Sequence, residues 1–166
     1  MDALAESAIR SSFVNCSKGE AKRLTLPGRL ADVGWSDLDF LGWRDPKAVN
    51  NAYVVLPREG GLVGLALSSA AQPKGRVKQS MCSFCCTVHG QADVSLFSAR
   101  RVGAAGKLGN TVGTYICADL ACCQYTRGRR SASGPKPTEA LSVDERIQRT
   151  VTNLNRFVDE VLTDNA

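Results

Sequence analysis

Apolar residues recur along this chain in two rhythms. Near the start, Leu4, Ala5, Ala8, Ile9 and Phe13 fall at three-to-five-residue spacings, which predicts a short amphipathic helix over 2–13. A basic, polar stretch follows and ends at Pro27. The run LDFLGW at 38–43 is apolar and aromatic and is bounded by polar residues on both sides. Next come AYVVLP at 52–57 and GLVGLAL at 61–67, separated by a turn containing Gly60. β-Branched residues around a glycine turn predict a hairpin, so three strands in succession suggest an antiparallel sheet. A polar segment over 72–80 leads to MCSFCC. Beyond it, VSLFSARR at 94–101 and TVGTYIC at 111–117 read as a second strand pair joined by a flexible tip, GAAGKLGN.

The last third changes period. Residues 128–141 are rich in Gly, Pro, Ser and basic side chains and read as a linker. Ser142 and Glu145 have capping-box spacing, and Val143, Ile147, Val151, Leu154, Val158 and Val161 then recur at intervals of 4, 4, 3, 4 and 3. This predicts an amphipathic helix over 142–162 that docks on its own sheet, because the stripe is too short to demand a second chain.

A length of 166 residues with 43% hydrophobic content is enough for one domain with a core. The first residues lack a basic start followed by an apolar run, and no stretch approaches the roughly 18 apolar residues of a membrane span. A soluble, cytoplasmic protein without a membrane partner is expected. That placement bears on the seven cysteines, an odd number in a reducing compartment, where disulfides are rare and metal binding is the better explanation. The net charge of +5 is uneven: 71–130 holds nine Lys/Arg, including Lys74, Arg76 and Lys78, against two acids, an excess of +7.

The thiols have a metal-site spacing. Cys82-x2-Cys85 precedes the second strand pair and Cys117-x4-Cys122 follows it, so two short-range pairs flank a hairpin. Were Cys117 and Cys122 on one regular helix, five residues at about 100° each would turn them roughly 140° apart. The conflict is removed if Cys117 ends a strand and Asp119 is the N-cap of a short helix with Cys122 at its third position, where the dipole favours a thiolate. Cys123 then points elsewhere. A knuckle, a hairpin and a helix whose first turn supplies the last ligand describe a treble-clef zinc finger. Four protein ligands make a closed site, hence one structural Zn2+. Cys86, Cys123 and His89 are rival ligands, His89 more often being a plain loop residue. Isolated Cys16 reads as a small hydrophobe.

Other chemistry is thin. GAAGKLGN has two residues between Gly103 and Gly106 where a phosphate loop has four, and Leu108 stands where Ser or Thr would hold magnesium. The single histidine lies among cysteines, and no triad or carboxylate pair is visible, so no catalytic residue and no small-molecule substrate is expected. Thiol redox chemistry at Cys86 or Cys123 is a minor reading. Arg100 and Arg101, with Arg127, Arg129 and Arg130, would offer guanidinium forks to phosphates or acidic side chains if they share a face. That makes an RNA- or DNA-binding zinc finger the alternative function.

The stretches FVNCSKGEAKRLTLP, DLDFLGWRDP, MCSFC and GTYICADLAC occur in order, and through them the sequence resembles the small FBP-domain proteins. Their module is similar to the C-terminal treble-clef domain of the elongation-factor-G-binding, fusidic-acid-resistance proteins. The resemblance implies an α+β fold: a small antiparallel sheet, a treble-clef finger and a C-terminal amphipathic helix. It implies a single FBP-type domain over 1–166, with an N-terminal helix-and-sheet part at 1–70, the finger at 81–127, the linker at 128–141 and the helix at 142–162. It also implies a four-cysteine zinc site at Cys82, Cys85, Cys117 and Cys122, and a non-enzymatic role in translation through elongation factor G, with the ribosome or its RNA as a further partner.

Overall fold

The computed structural model describes residues 1–69, 79–90, 93–135 and 139–163. Lys74, Arg76, Lys78 and part of the 128–141 linker lie outside them. Five strands form one antiparallel sheet: β1 (Leu41–Arg44), β2 (Asn51–Arg58), β3 (Gly61–Ser69), β6 (Val94–Arg100) and β7 (Thr111–Cys117), in that spatial order. A two-stranded ribbon pairs β4 (Gln79–Met81) with β5 (Val88–Gly90). Both hairpins expected from the sequence are present, with Val54 opposite Leu65 and Phe97 opposite Thr114.

β2 is buried on both faces, which explains its unbroken apolar run. On one face Ala52, Val54 and Leu56 join Leu65, Leu67, Phe97, Ala99, Val112 and Ile116 beneath the long helix α5 (Val143–Leu162). On the other, Tyr53 and Val55 lie opposite Trp43 and Leu41 and are covered by Ile9 and Leu24 from the N-terminal segment. α5 begins at the expected capping box: Glu145 N donates to Ser142 Oγ and Ser142 N to Glu145 Oε2. Its buried face is Thr150, Leu154, Phe157, Val158 and Val161, while Val143, counted in the stripe, is exposed. Among the described residues no helix is long and apolar enough to cross a membrane.

The N-terminal segment carries two helices where the sequence suggested one: α1 (Glu6–Ser11) and α2 (Lys18–Arg23). α2 starts at a capping box between Ser17 and Glu20 inside the basic, polar stretch. Between them the chain seals the free side of β3. Gly64 N donates to Ser12 O and Val14 N to Gly64 O. Where β3 and β6 diverge, the Asn15 side chain bonds Ala66 N, Ala66 O and Arg100 O.

The connection between β6 and β7 is not a flexible tip. It forms α3 (Gly103–Lys107), tucked so tightly that a Cβ on Gly106 would lie 1.7 Å from the Arg101 carbonyl oxygen. Arg101 donates to the carbonyls of Glu160 and Thr163, and Val102 N donates to Val161 O, so this turn caps the C-terminal end of α5.

Gly106→Ala is expected to lower stability by about 3 kcal/mol, because the obstacle is backbone and cannot swing aside. Ser142→Ala removes one cap and is expected to cost about 1 kcal/mol. Urea titrations with unchanged slopes would measure both.

Candidate metal centre

Two turns bring four sulfurs together. In the first, Cys82 N donates to Thr87 O and Cys86 N to Cys82 O, which folds residues 82–86 into a knuckle. Cys86 closes it in the left-handed region, φ 58°. The N–H groups of Phe84 and Cys85 point at Cys82 Sγ, at 3.4 and 3.5 Å. Ser83 N donates to Tyr115 O and ties the knuckle to β7. In the second turn Cys117 ends β7, Leu120 N donates to Cys117 O, and Leu120 is also left-handed at φ 58°. α4 (Cys122–Thr126) follows directly.

The expected helix start is therefore corrected. Cys122 is the first helical residue, and the cap, Ala121, makes no side-chain bond. Asp119 works one turn earlier: its carboxylate accepts from Ala121 N and from the Tyr125 hydroxyl. The left-handed Leu120 between them prevents a helix from beginning at Leu120. This turn is seated against β1, where a Cβ on Gly42 would come within 3.0 Å of Leu120 Cβ.

Cys82 and Cys122 sulfurs lie 3.7 Å apart, and those of Cys85 and Cys117 3.6 Å. All four lie within 4.8 Å of one another and all four residues are buried. A tetrahedron with zinc–sulfur bonds of about 2.3 Å has sulfur–sulfur edges of about 3.8 Å, so the donor set fits zinc. The protons are in conflict without a cation. Hydrogen bonds to Cys117, then to Cys82 and Cys85, together with burial push the Cys122 thiol well up, whereas bonds from Cys117, Cys122 and Cys82 pull Cys85 down. A divalent ion displaces those protons and leaves four thiolates.

The remaining thiols are elsewhere. Cys123 Sγ accepts from Asp39 N at 3.4 Å and faces Phe40 O. Cys86 faces the Asn153 amide, and Cys16 is half-buried beside Glu20 and Arg100. Burial raises all three above the usual thiol value, which weakens them as nucleophiles. His89, expected in a loop, lies in β5 and is 1% exposed, with Nε2 3.3 Å from Cys117 Sγ.

α5 grips both halves of the site. Asn153 donates to Phe84 O and Arg149 to Cys85 O on the knuckle, and Thr150 meets Thr126 of α4 hydroxyl to hydroxyl. The arginines beyond α4 are occupied. Arg127 holds Asp39 with both terminal nitrogens, at 2.6 and 2.9 Å, Arg129 pairs with Asp37, and Arg130 pairs with Asp119. Arg100 and Arg101 are at the far end of the same hairpin, since Arg100 faces Thr111 while Val94 faces Cys117. Six residue steps at about 3.3 Å place Arg100 roughly 20 Å along the sheet from the end of the hairpin that carries Cys117.

A knuckle, a hairpin and a helix whose first residue completes the sulfur set define a treble-clef zinc finger with a structural zinc ion, built into an α+β fold. The chain belongs to the FBP C-terminal treble-clef zinc-finger family, whose model matches residues 8–161. No curated protein sequence matches it. Among solved structures it is similar to that of the fusidic acid resistance protein FusC, at a TM-score of 0.56 and 17% identity, covering 96% of this chain and 58% of that one.

The Arg127–Asp39 fork joins α4 to the segment before β1, and both side chains are only 16% exposed. Arg127→Ala is expected to lower stability by about 1.5–3 kcal/mol, the range for hydrogen bonds to charged groups, while zinc content stays at one per chain. Thermal unfolding alongside metal analysis checks both halves.

Proposed function

We propose that this protein is a non-enzymatic binding module in which zinc, held by Cys82, Cys85, Cys117 and Cys122, organises a surface that binds elongation factor G, or the ribosome where that factor acts, and so modulates translation. The observation that carries the reading is the family match over 8–161, supported by a fold shared with a fusidic acid resistance protein. Four sulfur donors leave zinc no open position for water or substrate, so the metal's role is to fix shape. Within this reading Arg129 and Arg130 are the contact residues nearest the zinc. Their side chains are 57% and 55% exposed despite their acid partners, so an acidic surface can take them over from Asp37 and Asp119. Arg127 and Arg101 have their guanidinium groups committed internally, and exposed Arg100 lies at the other end of the hairpin.

Cys82→Ser or Cys122→Ser is expected to abolish stoichiometric zinc in native mass spectra and to loosen the finger, whereas Cys86→Ser and Cys123→Ser retain one zinc. Zinc-loaded protein is expected to retain elongation factor G in a pull-down at low salt. Charge reversal at Arg129 and Arg130 should weaken the association and reversal at Arg100 should not. Absence of any association with the factor or with ribosomes would remove this reading. Binding to naked RNA that falls steeply with salt would favour the nucleic-acid alternative.

A further inference from the structure

His89 is the single histidine of the chain and one of its most completely buried polar side chains. Its Nε2 lies 3.3 Å from Cys117 Sγ, and its ring meets Tyr125 edge to face with centroids 4.7 Å apart. Tyr125 is itself fixed, its hydroxyl donating to Asp119 and the Arg130 guanidinium lying over its ring. The other ring nitrogen, Nδ1, is buried and has no hydrogen-bond partner among the described residues. Leaving such an atom unsatisfied is costly, so the position needs a compensating interaction from Nε2.

The sulfur set supplies one. Four thiolates around a divalent cation carry a net charge of −2 in a buried site, and hydrogen bonds to sulfur are the means of spreading it. Cys82 receives two backbone N–H groups, and Cys85 has the Thr87 hydroxyl at 3.2 Å. For Cys117 the group placed to donate, among the described residues, is His89. A zinc-bound thiolate has only lone pairs to offer, so the proton between the two atoms must reside on Nε2. His89 is also outside the four-sulfur cluster, which is complete without it.

We propose that His89 is a positioning residue of the zinc site: its Nε2–H donates to the Cys117 thiolate, orients that sulfur towards the metal and draws charge from it, so that zinc is held against exchange and Cys117 against electrophiles. The inference rests on the four-cysteine assignment above. The ring is clamped by Tyr125 so that the donor stays aimed, which accounts for a buried histidine whose second nitrogen has no partner among the described residues.

The test compares His89→Phe, which keeps an aromatic ring against Tyr125 but removes the donor, with His89→Gln, whose amide N–H reaches the place of Nε2. Zinc affinity is measured by competition with a colorimetric chelator, and the cobalt-substituted proteins are examined for their sulfur-to-metal charge-transfer band. His89→Phe is expected to bind zinc about 10–100-fold more weakly and to shift that band to lower energy. His89→Gln should lie closer to wild type in both. The proposal is overturned if the two variants behave alike, or if His89→Phe leaves affinity and band unchanged. Should His89→Phe not fold, long-range nitrogen–proton NMR of zinc-loaded wild type decides the matter: a proton on Nε2 supports the proposal and a bare Nε2 sinks it. Failure of the underlying four-cysteine reading would look different, since wild type itself would then take up no stoichiometric zinc.

Discussion

Four sulfurs that belong within 4.8 Å of one another come from turns 32 to 40 residues apart in the chain, and every other element is arranged to make that meeting possible. Four buried thiols can offer one another only weak sulfur hydrogen bonds, whereas a divalent cation can replace their protons and bind all four. In small zinc domains that binding energy, an apparent value of about 10–16 kcal/mol, is delivered as folding energy. The knuckle and the turn between β7 and α4 are too short to hold their shapes alone, and each contains a left-handed non-glycine residue, Cys86 and Leu120, that an unsupported turn would avoid. The metal and the sheet over-determine them.

The rest of the molecule supports this centre from three directions. β6 and β7 supply the rigid arm that carries Cys117. α5 lies across the sheet and donates side-chain hydrogen bonds to knuckle carbonyls, so packing of its apolar face also fixes the first pair of sulfurs. The segment before β1 reaches α4 through the Arg127–Asp39 fork and through Asp39 N on Cys123. Of three arginines that read as free positive charge along the sequence, Arg127 is thus an internal fastener, while Arg129 and Arg130 are paired but exposed. This changes the electrostatic picture from a basic stripe to a paired surface with exposed guanidinium groups at its rim.

How much of this was legible depends on the range of the interaction. Both long hairpins could be read because β-branched runs around glycine turns are local signals, and α5 because its capping box precedes a long apolar stripe. The sulfur set was legible from spacing alone. α2 was not, although Ser17 and Glu20 form the same box, since its six residues include Gly19 and carry no stripe. α3 was hidden by its glycines, one of which is there for close approach and not for flexibility. The start of α4 was misread because nothing in a leucine announces a positive φ. His89 could not be placed, because three-residue strands are too short to display a period and its burial depends on Tyr125 and Cys117 arriving from elsewhere. Arg127 and Asp39 are 88 residues apart, beyond any local pattern.

The Asn15 amide is bonded to Ala66 and to the Arg100 carbonyl, partners 51 and 85 positions further along the chain. During synthesis from the amino end, that seat does not exist until β6 has emerged and joined β3. Until then the last residues of β3, Leu67 to Ser69, lack the strand that pairs with them on that side and offer backbone groups to a passing strand, a route to misassembly. The nascent chain is consequently most vulnerable to sticking in the interval before its hundredth residue is placed, and a single carboxamide near its beginning is among the last pieces to lock.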